Sequence, residues 1–345
     1  MYNTTTTAIR CQLETLTDQS ATGRERPWKE HKVSNTYLAQ AYDNIDPAKA
    51  VRLRDCATSL AFDVSADGAK RLATANFCRV RLCPMCQWRR GLKLFGQVTQ
   101  IMQAMGDKWR YIFLCLTVRN CQGGNLDATL THIGQSWQRM TQTKQWRTSI
   151  TGGYIRSTEV THDIDMYITP ERYHKARKYY DARGLRIGDN NPGYDTYHPH
   201  IHAILAVKPS YFKTSKYITQ DQWTAMWADA ARLDYDPDVD VERCKGTQPH
   251  QIAEVAKYAV KPGDYLVADD WQLTTDTVQL LDRVLAGRRF VSFGGQMAAT
   301  KRQLGLDDVD DGDLVHVDAD GDKPDKATRV YYSWASGYNQ YVRDV

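Results

Sequence analysis

His198-Pro199-His200-Ile201-His202, leading into Ala203-Ile204-Leu205-Ala206-Val207, puts two imidazoles where they can act together. On a β-strand alternate side chains share a face, so His200 and His202 project to one side while Ile201 turns into the core. Two imidazoles fixed in this way make half of a metal site on a rigid apolar strand. Pro199 cannot donate to a sheet ladder, so the strand is expected to begin there, with His198 on the approach. The alternative is a pair of histidines that only hydrogen-bond on a half-buried strand.

A second constellation is Glu254, Tyr258 and Lys261. At about 100° per residue these three fall on one narrow helical stripe. Pro262 follows and disfavours helix at Lys261, so the stripe is expected at the C-terminal end of a helix over 249–260. A phenol becomes a usable nucleophile when a cation or metal stabilises its phenolate, and a nearby carboxylate can activate water for a second step. The same three residues would equally suit an ordinary exposed helix face, where Glu–Lys pairs are common.

The third is a run of cysteines. Cys83-Pro84-Met85-Cys86 has the spacing of a zinc knuckle, Cys78 lies five positions before Cys83, and Cys56 is the natural fourth thiolate of a split site. A redox CxxC is the rival reading, but it does not require two further cysteines. Arg79, Arg81, Arg89, Arg90 and Lys93 crowd the same stretch and are expected to grip DNA.

The elements that must position these groups read as α+β. Apolar runs predict strands over 111–118, 153–161 (with Glu159), 201–207 and 239–242, and helices over 126–146, 220–233 and 249–260. Residues 170–196 form a polar insertion with Arg172, Lys175, Arg177, Lys178, Arg183 and Arg186 among tyrosines. It reads either as a track for a nucleic-acid backbone or as a solvated hairpin. The expected division is a flexible segment over 1–50, a zinc module with a basic helix over 51–100, a catalytic domain over 105–265 and a C-terminal segment over 266–345.

Composition is ordinary for a globular chain of 345 residues, 42% hydrophobic and 25% charged. No apolar run approaches the roughly 20 residues of a membrane span, and the N-terminus lacks a signal-peptide pattern, so a cytoplasmic protein without membrane contact is expected. The net charge of +4 is uneven, because residues 303–325 hold nine Asp and one Lys. The basic excess elsewhere suits a polyanionic partner.

In order along the chain, Leu116-Thr117-Val118-Arg119-Asn120, Glu159-Val160-Thr161-His162, His198-Pro199-His200-Ile201-His202 and Glu254-Val255-Ala256-Lys257-Tyr258-Ala259-Val260-Lys261 form a series. This series resembles the replication initiator (Rep) proteins of small rolling-circle plasmids, within the HUH (His, hydrophobic residue, His) endonucleases. The cysteine block and the segments Phe293-Gly294-Gly295 and 306–314 resemble that family too, so the likeness covers roughly residues 50–340.

The resemblance implies an HUH-type antiparallel sheet flanked by helices and preceded by the four-cysteine zinc module. It implies Mn²⁺ or Mg²⁺ held by His200, His202 and Glu159, with His162 and His198 as second-line ligands. An exposed strand carboxylate is the other reading of Glu159, and Asp163 and Asp165 lie nearby. The implied chemistry is metal-dependent nicking and joining of single-stranded or cruciform origin DNA. In it, Tyr258 forms a 5′-phosphotyrosine, Lys261 positions the phosphate, and Glu254 activates water for termination. A host helicase is an expected partner. Tyr265 lies beyond Pro262, off the stripe, so no second tyrosine is expected. A relaxase is disfavoured because Tyr258 follows the histidines. An HUH transposase or a non-catalytic zinc-ribbon nucleic-acid binder remains an alternative.

Overall fold

A computed structural model of the chain describes residues 14–20, 23–244, 249–257, 259–267, 269–317 and 327–344. Helix α1 (Trp28–Tyr42) falls within the stretch expected to be flexible, yet buries Trp28, Leu38, Ala39 and Tyr42. Its apolar residues are few and irregularly spaced, so tertiary packing holds it. Trp28 meets Phe62 and Trp88 edge-on, with ring centroids 5.7 and 4.7 Å apart. Helix α2 (Pro47–Asp55) starts on the Asp46 side chain, which accepts from Lys49 N at 3.1 Å, with Pro47 at the first helical position. Strands β1 (Ser59–Ser65) and β2 (Lys70–Ala75) pair antiparallel, and α3 (Pro84–Met105) leaves the cysteine cluster.

The main sheet comprises β3 (Arg110–Thr117), β4 (Cys121–Gln122), β5 (Gly153–Asp163), β6 (Thr196–Val207), β7 (Val239–Cys244) and β8 (Val291–Gly294). Its order is β7-β3-β6-β5-β8, every pair is antiparallel, and β4 pairs with the start of β6. Strand β6 begins at Thr196, before Pro199, so His198 is an in-strand residue rather than part of the approach. Proline fits there because β3 pairing ends at Thr117↔His200 and β4 pairing resumes only at Cys121↔Tyr197. No ladder partner faces Pro199 on that side.

Two helices, α4 (Leu126–Gln142) and α5 (Lys144–Ser149), replace the single one expected over 126–146. Thr143 turns extended between them and accepts from Trp146 N at 3.2 Å. The insertion carries α6 (Pro170–Lys175) and α7 (Arg177–Asp181). Then come α8 (Gln220–Ala231), opened by a Thr219/Gln222 capping box, and α9 (Pro249–Val255), which stops short of the expected Val260 boundary. The last helices are α10 (Trp271–Leu285) and α11 (Gly295–Gln303).

The sheet is covered on both sides. Ile204, Ala206, Phe113 and Ile155 pack against α3, α9 and α11 through Leu94, Val98, Ile252, Val255 and Met297. Ile201, Ala203, Leu205 and Leu114 pack against α4 and α8 through Leu130, Trp137, Trp223 and Trp227. Each such aliphatic side chain removed from water contributes about 1.5–3 kcal/mol, which fixes the register of β6 and hence the histidines. Gly153 (φ +86°) and Gly294 allow the start of β5 to touch β8, since a Cβ on Gly153 would lie 2.0 Å from the Gly294 carbonyl oxygen.

Strands β9 (Ala327–Ala335) and β10 (Gln340–Arg343) return to the N-terminal region and complete a sheet of order β10-β9-β1-β2. The expected boundaries at residues 100 and 266 therefore do not follow the sheets. The fold is α+β, with antiparallel sheets flanked by helices. Among the described residues, no helix is long and apolar enough to cross a membrane.

Candidate active site

Register brings the first site together. Glu159 on β5 pairs directly with His200 on β6, and Ser157 with His202, so the carboxylate and both imidazoles share one face. Glu159 Oε2 lies 3.4 Å from His200 Nε2 and 3.2 Å from His202 Nε2, and all three residues are buried. His200 Nδ1 donates to the His198 carbonyl at 3.0 Å, which leaves its Nε2 lone pair facing the carboxylate. Phe113 stacks on the His202 ring, with centroids 5.5 Å apart.

Lys261 Nζ sits 2.8 Å from the other oxygen, Glu159 Oε1. Burial alone would raise the Glu159 carboxyl, but His200, His202 and Lys261 outweigh it and hold the group well below the usual carboxylate range. Burial likewise works against the Lys261 ammonium, while Glu159 raises its pKa.

Lys261 does not reach this place along a helical stripe. Its backbone is extended (φ −79°, ψ 147°), and the turn Pro262–Asp264 follows. The single stripe expected for Glu254, Tyr258 and Lys261 is thus replaced by a helix that ends and a segment that crosses to β5. Val160 N donates to the Ala259 carbonyl at 2.8 Å and ties that segment beside Glu159. Tyr258 lies outside the described residues. Glu254 is on α9, ion-paired with Lys257 and 3.9 Å from His250 Nε2. Tyr265 is buried and donates to the Leu82 carbonyl at 2.6 Å.

Neither second-line histidine joins the cluster. His162 is buried, bonded to Asp195 Oδ1 at 2.9 Å and the Asp264 carbonyl at 3.0 Å, and stacked on Tyr197. His198 Nδ1 bonds Asn120 Oδ1 at 2.8 Å. Asp163 and Asp165, the nearby carboxylates, are held by Arg172, at 2.7 Å for both Asp163 oxygens and 2.9 Å for Asp165. Asp264 went unnoticed in the sequence, although Lys-Pro-Gly-Asp is a turn signature. It accepts from Lys261 N at 3.2 Å, and burial pushes its carboxyl up to about 6.

The second site is the cysteine cluster. Sγ–Sγ separations are 3.6 Å for Cys56–Cys83 and 3.7 Å for both Cys56–Cys86 and Cys78–Cys86. A tetrahedral ion with Zn–S bonds of about 2.3 Å needs sulfurs about 3.8 Å apart, so the donor set fits a metal and is too long for disulfides. Backbone N–H groups of Cys78, Arg79, Val80 and Cys86 point at these sulfurs over 3.2–3.4 Å. Among the described residues these four cysteines, and Glu159 with His200 and His202, are the groups that could hold a metal ion.

The basic residues round the cysteines are differently placed from the exposed grip expected. Arg89 is fully buried and donates to the Leu314 and Val315 carbonyls at 2.9 and 2.8 Å. Lys93 is buried against Asp307 and the Asp313 carbonyl. Both serve as framework for the acidic segment. Arg79, Arg81 and Arg90 lie nearer the surface, with Arg81 2.7 Å from Asp310 and Arg79 donating to the Asp311 carbonyl at 3.0 Å. A charge run read locally could not reveal partners more than two hundred residues away.

The family Rep_1, described as Replication protein, matches residues 69–342. A "Protein rep" of Lentilactobacillus hilgardii is 34% identical over 341 residues, covering 94% of this chain and 98% of that protein. Those of Bacillus amyloliquefaciens and Streptococcus pneumoniae are each 32% identical, covering 95% of this chain and 96% of their own length. No solved structure matches the chain. The chain belongs to the Rep_1 family of replication proteins, in agreement with the resemblance carried by its motifs.

Proposed function

We propose that this chain initiates rolling-circle replication of a plasmid by nicking and rejoining single-stranded origin DNA. The observation that carries the reading is the buried Glu159–His200–His202 cluster with Lys261 Nζ 2.8 Å from its carboxylate. A divalent ion, Mn²⁺ or Mg²⁺, would be held by these three residues and would supply Lewis-acid polarisation of the scissile phosphate.

The chain's own residues do the rest. The Tyr258 oxygen attacks phosphorus as its proton passes to solvent, the P–O3′ bond breaks, and the 3′ oxygen takes a proton from water to leave as a free hydroxyl that can prime synthesis. The strand stays joined through a 5′-phosphotyrosine. Lys261 places an ammonium beside the phosphate and beside the developing phenolate. When the origin is cut again, Glu254 takes a proton from water that hydrolyses the regenerated site. The 3′-hydroxyl so freed attacks the phosphotyrosine, displacing the Tyr258 oxygen, which regains a proton, and rejoining the strand. The four cysteines hold Zn²⁺ and brace α3, which runs behind the site.

The test is incubation with a pool of single-stranded oligonucleotides and Mn²⁺, beside EDTA and Tyr258→Phe controls. A metal-dependent DNA adduct mapped to Tyr258 is expected. DNA binding without any adduct would instead favour a non-catalytic zinc-module binder, and an adduct on another residue would displace Tyr258 from its role.

A further inference from the structure

On the face of β5 opposite Glu159, α4, Arg156 and the loop 286–290 enclose a groove of about 320 Å³. Arg288 and Arg289 rim it, and Thr131, Gln135 and Gln138 of α4 supply neutral hydrogen-bonding groups. Arg156 is the unusual member. Its Nε donates to Ser292 Oγ at 2.8 Å and its guanidinium lies 5.5 Å from the Trp137 ring centre, but Nη1 is buried without a hydrogen-bond partner. No carboxylate pairs with it among the described residues, so burial works against its charge. A desolvated cation without a counter-charge is costly, and an anion entering the groove would supply what is missing.

Of the two neighbouring cations Arg289 remains available, whereas Arg288 is committed to the Val284 and Asp127 carbonyls, the Asp127 carboxylate and Thr131. Arg288 bonds Asp127 at 2.8 Å on the rim, and Arg289, largely exposed, is 3.8 Å from Asp308. The groove also leads to the reacting end of the sheet. Thr158 and Phe290 line both it and a second cleft that reaches Ala256, Lys257 and Ala259. Thr158 N donates to the Phe290 carbonyl at 2.9 Å, so the two clefts meet over one fixed point of β5, next to Glu159.

We propose that this groove binds a phosphate of the DNA strand flanking the nicked bond, with Arg156 as its half-buried anchor and Arg289 as its exposed one. The assignment rests on the nicking reading for its choice of ligand. A planar guanidinium fork suits a phosphodiester, and a concave path continuous with the 256–259 segment suits a chain of phosphates better than a single free anion.

Fluorescence anisotropy with a labelled mixed-sequence single strand of about 30 nucleotides, in EDTA and across a salt series, tests it. Arg156→Gln and Arg289→Gln should each weaken binding about tenfold and lower the slope of log K against log salt by about 0.7. Lys213→Gln, at an exposed lysine that does not line the groove, should change neither. Arg156→Gln should not lower the melting temperature, because the free protein holds that cation without a counter-charge. A purely structural arginine would lower it.

Unchanged affinity and slope in both arginine variants would overturn the proposal. So would stabilisation of the wild type, but not Arg156→Gln, by inorganic phosphate while DNA affinity stays equal, since the site would then hold a free anion. Adduct formation by the wild type is scored separately in Mn²⁺. Its absence would sink the nicking reading and leave the affinity result standing.

Discussion

Lys261 Nζ lies 2.8 Å from Glu159 Oε1, while the other oxygen of that carboxylate faces His200 and His202. One carboxylate is thus shared between an ammonium and a metal-ligand set. On the proposed function an ion held there would compete with Lys261 for that charge, so Lys261 would temper the affinity of the site as well as steer the phosphate.

Lys261→Met removes that competitor. Apparent Mn²⁺ affinity should rise about threefold to tenfold, read from the free-ion paramagnetic resonance signal, while adduct formation slows. Equal Mn²⁺ affinity in the two proteins would show that Lys261 does not share the carboxylate in solution.

Asp264 leads to a pH prediction. Its folded-state pKa is raised from 3.8 to about 6, so the folded protein binds more protons than the unfolded chain between those values. Stability is therefore lost as pH rises from about 4 to about 6, by about 1–2 kcal/mol after allowing for its partial exposure. Asp264→Asn should raise the melting temperature at pH 8 and leave it unchanged near pH 4. A rise of the same size at both values would contradict the assignment.

Cys86→Ser removes a sulfur that accepts from Arg79 N at 3.2 Å and neighbours two other thiols. The wild type should yield about one zinc per chain on elemental analysis, and the variant well under half of that. Loss of the ion should also open the β1–β2–β9–β10 sheet to protease, since structural zinc contributes folding energy directly. Wild-type protein purified without zinc, yet equally resistant, would refute the zinc assignment.

Glu254→Ala separates the two cleavages. Initial nicking should stay within about twofold, while hydrolytic release after the second cut should slow roughly 100-fold or more. Pre-formed adduct chased with a second origin strand on denaturing gels gives both rates. Equal release by both proteins would remove Glu254 from termination.

How much of this was legible in the sequence depends on how local the cause is. The shared face of His200 and His202 follows from strand alternation alone. The Glu159↔His200 pairing does not, because cross-strand register is set by packing between segments far apart in the chain. Lys261 lies beside Glu159, but not along the helical stripe expected. Pro262 ends helical geometry there, and an extended segment delivers the ammonium instead. Helix α1 was missed because its apolar residues lack a clean period and meet partners such as Phe62 and Trp88. Arg89 and Lys93 read as part of a DNA grip because the segment that buries them comes more than two hundred residues later.

The pairing of Ser59 with Ser333 has a consequence in time. A ribosome delivers all four clustered cysteines early, but the strand that flanks β1 emerges only after the whole of the main sheet. Until then β1 presents an open edge and one flank of the cysteine module is unfinished. Such long-range pairing forms slowly compared with local contacts. A chain halted before residue 327 would carry every residue of both candidate metal sites, yet lack the strand that flanks one of them.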